Sequence, residues 1–265
     1  MKNSNLNAIA VVLVVAIAAF LIGYYATPKT GAKQPVYITV QPTAFASATL
    51  LPISTPLVQE GETKLMIVHL PAVDKQNQGV LTDLNIEMRS GDGKVYIDFS
   101  GGAPLLGSET QNSILNAVEV AKAVSGQSLE KVNLYYSFAT DAQVVGGGSA
   151  GAATAVATAA LISGKHIRKG FIMTGSVDPE GNIGVVGRVL EKAEAAKAGG
   201  FTTFLVPRSE ATTQVPIEKC TSKQTENALI ESCNTVYEDR KVQDLAGIKI
   251  IEVDTVDQAY ALMAQ

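Results

Sequence analysis

The stretch that most constrains the fold is Gly146-Gly147-Gly148-Ser149-Ala150-Gly151, which runs into a segment ending at Ser163 that is mostly Ala, with Val156, Leu161 and Ile162 among its few larger residues. Alanine is the strongest helix former and glycine among the weakest. A helix is therefore expected over 150–163, with Gly164 as its C-terminal stop. A helix so small on every side has no face to offer water and is expected to be closely buried.

The segments around it supply partners for such a helix. Lys64 to Leu70 is a short apolar run of strand length, and His69 within it reads as a core residue. Apolar residues alternate at Leu84, Ile86 and Met88, then at Val95, Ile97 and Phe99, with Ser90-Gly91-Asp92-Gly93 between them, which reads as a β-hairpin. Ile114, Ala117, Val118, Ala121 and Val124 recur at helical spacing over 109–124, and period two returns at Val132, Leu134, Tyr136 and Phe138. Further strands are expected over 170–175, 202–206 and 248–253, and helices over 188–198 and 255–264, with a turn at 178–182. The fold class is α/β (α+β), with mixed sheets and packed helices.

Residues 8–26 form an uncharged apolar run of about the length that crosses a bilayer, with Tyr24 and Tyr25 suited to its interface. The expected layout is a tail over 1–7, a transmembrane signal anchor over 8–26, a Pro/Thr/Ala-rich linker over 27–62 and one domain over 63–265. The alternative is a cleaved secretory signal. Cys220 and Cys233 are the only cysteines, and an even count in a polar segment over 208–246 fits a disulfide in an oxidising compartment. The domain is therefore expected outside the cytoplasm. A net charge of −4 and the absence of Trp argue against a nucleic-acid partner.

The glycine-rich stretch allows three readings. Gly146, Gly148 and Gly151 satisfy G-x-G-x-x-G, but the acidic residue a dinucleotide site needs about 20 positions later is missing, since 166–169 reads His-Ile-Arg-Lys. Gly147 to Gly151 satisfies G-x-S-x-G, yet the only later histidine is His166, so the Ser, acid, His order of that elbow cannot be completed. Ser149 could also be a plain helix N-cap. The motif alone leaves these open.

From Ser149 onward the chain resembles the proteolytic domain of Lon proteases. GGGSAG is similar to the family's nucleophile motif, Met173-Thr174-Gly175 to its MTG strand, and Gly187 to Lys192 to its glycine-led, lysine-ended motif. The segments Ala195 to Phe201 and Phe204 to Pro207 continue the likeness, and GIKIIEVDTVDQAYALM resembles the closing strand and helix. The likeness covers roughly 64–265, with the cysteine segment as an insertion. It implies a Ser–Lys dyad of Ser149 and Lys192, support from Thr174, oxyanion donors at the Gly148 and Ser149 amides, a polypeptide substrate and assembly into homo-oligomeric rings. It implies no cofactor or metal. Gly146 departs from the acidic residue many members carry there, and Tyr135 to Phe138 replaces a His-containing strand. These residues hold no G-x-x-x-x-G-K-[ST], so proteolysis by this chain is expected to need no ATP. The competing class is a non-catalytic scaffold that keeps the fold.

Overall fold

The computed structural model describes residues 57–98, 104–225 and 228–265, all within the unit Ser54–Gln265. The run over 8–26, most of the linker and Phe99 lie outside the described residues. Among the described residues no helix is long and apolar enough to cross a membrane.

A four-stranded sheet begins the domain. β1 (Thr63–Val73) and β2 (Gly79–Ser90) form an antiparallel hairpin, and β5 (Val132–Ala139) adds to the far edge of β2. β3 (Val95–Ile97) then pairs parallel with β5, giving the order β1-β2-β5-β3. The hairpin expected between 84–88 and 95–99 is therefore corrected: those segments are separated by β5. The Ser90 to Gly93 link wraps around the incoming strand, with the amides of Asp92 and Lys94 donating to the Asn133 side chain and those of Gly91 and Gly93 to the carbonyls of Lys131 and Val132.

His69 is also corrected. Alternation along β1 sends Met66, Val68 and Leu70 inward and leaves Leu65, Ile67 and His69 exposed, with His69 Nδ1 2.6 Å from Asp83 Oδ1. One strand cannot bury both faces unless both are covered.

Helix α1 (Ser108–Ser125) and the Ala-rich helix α2 (Gly151–Ile162) pack against each other, and every residue of α2 is buried. The Tyr136 hydroxyl and Thr158 Oγ1, 2.9 Å apart, satisfy each other inside this layer. A second sheet has the order β13-β10-β7, all parallel: β7 (Phe171–Met173), β10 (Thr203–Pro207) and β13 (Lys249–Val253). The helix α3 (Val189–Ala198) packs with β10, and the last helix is α5 (Val256–Met263). Between β10 and the short helix α4 (Val242–Ala246) the chain forms a long antiparallel ribbon of β11 (Thr212–Thr225) and β12 (Ala228–Lys241). Cys220 and Cys233 face each other across it and are joined by a disulfide.

Candidate active site

Ser149 lies in the turn between β6 (Val144–Val145) and α2, half-buried. It does not cap the helix. The N-cap position falls on Ala150, and no side chain accepts from the first-turn amides. A hydroxyl spared from capping is available for other work.

The loop before α2 is fixed through its carbonyls. Thr110 Oγ1 donates to the Gly147 carbonyl at 3.0 Å and Ser113 Oγ to the Gly148 carbonyl at 3.1 Å. The Ser149 carbonyl accepts from the Gly175 amide at 2.9 Å and from Thr174 Oγ1 at 3.2 Å. With three successive carbonyls bound inward, the amides of Gly148 and Ser149 make no hydrogen bond among the described residues. Free amides beside a helix N-terminus are suited to an anionic oxygen. Gly147 takes the left-handed region at φ 87°, which this turn requires. A methyl at Gly151 would come within 2.4 Å of Ser113 Oγ and 2.8 Å of Val177 Cγ1, so only glycine lets α2 start this close to α1.

Lys192 reaches the same place from helix α3. It sits in the first turns of α3, where the positive end of the helix dipole disfavours an ammonium. The side chain is 5% exposed, and Nζ donates to Thr174 Oγ1 at 3.2 Å. Burial brings its pKa from 10.5 down to about 8, against the opposing pull of the Glu210 and Glu191 carboxylates. Thr174 therefore accepts from the lysine and donates to the serine's carbonyl, tying β7, α2 and α3 together at one atom. No hydrogen bond joins Lys192 Nζ directly to Ser149 Oγ among the described residues. Arg188, which opens α3, is left-handed at φ 61°, and its guanidinium is clamped by Glu191 at 3.0 Å and Asn77 at 3.1 Å. A non-glycine residue there is strained and persists because its surroundings hold it.

The geometry thus gathers Ser149, Thr174, Lys192 and the free Gly148 and Ser149 amides. Residues 83–243 match the family model for the Lon protease (S16) C-terminal proteolytic domain, which is more than half of the 265 residues. The chain belongs to that family. The Lon protease of Haemophilus influenzae is 28% identical over 161 residues, covering 58% of this chain and 19% of that protein. The archaeal Lon protease of Thermoplasma volcanium is 29% identical over 102 residues, with 38% and 16% covered. That of Methanocaldococcus jannaschii is 33% identical over 81 residues, with 31% and 12% covered. The chain therefore spans less than a fifth of these Lon relatives.

Sequence reasoning missed three residues around this candidate site. Thr110 and Ser113 are buried hydroxyls three residues apart on the otherwise apolar face of α1, and a polar pair in such a stripe was the signal available. Glu210 follows β10 and carries no motif. Gly146, the departure from the family pattern, has open space where a side chain would go, so crowding does not explain the glycine.

Proposed function

We propose that this chain is a serine endopeptidase that cleaves unfolded or flexible polypeptide by acyl transfer, without ATP. Ser149 Oγ attacks the scissile carbonyl and Lys192, neutral, takes its proton. The Gly148 and Ser149 amides receive the oxyanion, and the lysine returns the proton to the leaving amine before water releases the acyl group. The observation that carries this reading is the buried Lys192, with its pKa near 8, linked through Thr174 to the serine's own carbonyl. An open groove of about 570 Å³, lined in part by Val73, Asp74, Thr140, Gln143 and Gly146, ends at the loop before Ser149 and is suited to an extended substrate.

The scaffold reading draws on the Gly146 departure and on the missing direct bond between Lys192 and the Ser149 hydroxyl among the described residues. Catalytic contacts often tighten only in the substrate complex. Hydrolysis of an unstructured protein such as casein decides between the two. Ser149→Ala and Lys192→Ala are each expected to lose at least about 10³-fold in kcat/KM. Equal rates in wild type and both variants sink the dyad. Because the base must be unprotonated, the wild-type rate should climb with pH and level off above about 8.

The run over 8–26 is proposed as a membrane anchor with the domain outside the cytoplasm, a placement the Cys220–Cys233 disulfide suits. Signal cleavage and secretion is the other arrangement. Membrane fractionation with thiol labelling before and after reduction tests both, and free, readily labelled cysteines from cells would argue for a cytoplasmic domain. Assembly into a homo-oligomeric ring is proposed from the family resemblance and is read by mass in solution.

A further inference from the structure

Three parallel strands end along one edge of the second sheet, at Met173, Pro207 and Val253. Residues just beyond the carboxyl ends of parallel strands converge on one crevice. Thr174 follows β7 and Glu210 lies just beyond the adjacent β10, so the hydroxyl that receives Lys192 and the Glu210 carboxylate emerge at the same edge. Glu210 Oε1 accepts the Val186 amide at 2.8 Å, in the segment that leads into α3 and Lys192. Its Oε2 is buried and has no hydrogen-bond partner among the described residues. A buried carboxylate oxygen left unsatisfied is destabilising by itself, so its place calls for a reason.

The neighbouring charges are already engaged. Arg208 pairs with Asp254, and Arg188 with Glu191 at 3.0 Å. Glu252 accepts the Ala211 amide at 3.4 Å. Within this group Lys192 is the cation without a salt bridge, and of the two anions without one, Glu252 and Glu210, it is Glu210 whose charge acts on Lys192; burial raises the Glu210 carboxyl against the pull of the lysine. Glu191 also acts on Lys192, but it is shared with Arg188.

We infer that Glu210 is a positioning residue for the dyad: its carboxylate, fixed by the Val186 amide, is the counter-charge that helps hold the proton on Lys192 against burial. Only the consequence for catalysis rests on the peptidase reading. A carboxylate beside a lysine favours the ammonium, so removing the charge loosens the proton. Glu210→Gln keeps the size and the acceptor for Val186 while removing the charge, whereas Glu210→Asp keeps the charge.

The test is an NMR titration of the full chain in detergent, labelled with ¹³Cε-lysine, the Lys192 resonance being the one lost in Lys192→Met. In Glu210→Gln, Lys192 should lose its proton at lower pH than in wild type, while Glu210→Asp stays with wild type. Well below the midpoint, each half-unit of movement raises the neutral fraction roughly threefold. The acid limb of casein hydrolysis should move the same way. Superimposable Lys192 titrations in wild type and Glu210→Gln overturn the inference, and so does a uniform loss of activity with an unmoved titration. If the lysine titration moves but Ser149→Ala cleaves casein as well as wild type, the peptidase reading fails and the Lys192–Glu210 coupling stands. Should Glu210→Gln not fold, the comparison of Glu210→Asn with Glu210→Asp carries the same two outcomes.

Discussion

An ammonium moved from water to the surroundings of Lys192 loses hydration that one threonine hydroxyl does not replace, and its pKa falls from 10.5 to about 8. A fall of that size corresponds to about 3 kcal/mol of destabilisation when the lysine is charged in the unfolded state. Between about pH 8 and 10.5 the unfolded chain binds more protons than the folded one, so this contribution to stability rises with pH across that window. Lys192→Met, similar in length and apolar, should therefore stabilise the fold at pH 7 by up to about 3 kcal/mol while abolishing hydrolysis. Urea denaturation at pH 7 and pH 10 checks this, and the gain should shrink at the higher pH. A second contrast concerns two glycines. Gly151→Ala drives a methyl into Ser113 and Val177 and should destabilise by about 1–3 kcal/mol, measured by thermal unfolding. Gly148→Ala meets nothing nearer than 4.0 Å and should fold normally, so any loss of its activity reports on the oxyanion approach. Ser149, Thr174 and Lys192 were reachable as candidates only through the resemblance to the Lon motifs, because the glycine-rich stretch alone left three readings open. Glu210 was not, since a lone acid after Pro207 has no pattern, and only its burial sets it apart.

At the scale of elements, local periodicity identified β5 and α1 because one side of each is packed against the core, whereas α2 was read from its alanine content and α3 from the glycines that close it. The order of strands was not legible. Two alternating segments joined by Ser-Gly-Asp-Gly read as neighbours, and the insertion of β5 between them depends on pairing with residues far along the chain. The ribbon β11–β12 was read only as a polar excursion, because most of both its faces is exposed and apolar alternation is confined to its base, at Val215 and Ile217 opposite Val236. Pro216 sits within β11, and in a two-stranded ribbon every strand is an edge, where proline is tolerated. Such a ribbon is marginal in water by itself. The disulfide, with a sequence separation of 13, supplies about 3 kcal/mol by the chain-entropy account. Replacing both cysteines with serine should raise amide exchange across the outer half of the ribbon while β7, β10 and β13 keep their protection, as read by hydrogen exchange. Loss of protection in the core strands would mean that the ribbon belongs to the same cooperative unit.

For the molecule as a whole, the proposed chemistry requires substrate in extended form at a site built from fixed elements. The Gly147 to Ser149 carbonyls are held by α1 and the β7 exit, and Lys192 by its helix, so the site has little freedom to reach into a folded substrate. Opening a globular substrate takes about 5–15 kcal/mol. The 265 residues carry no G-x-x-x-x-G-K-[ST] motif of the kind that couples nucleotide hydrolysis to that work. Cleavage by this chain should then follow the population of substrate that unfolds by itself. For a set of variants of one small substrate protein, each 1.4 kcal/mol of destabilisation should raise the cleavage rate about tenfold, until the unfolded form predominates and the rate reaches that of casein. Adding ATP and magnesium should leave every rate in the series unchanged. A rate insensitive to substrate stability, or one raised by ATP, would mean that the chain engages folded substrates by a route its groove does not provide.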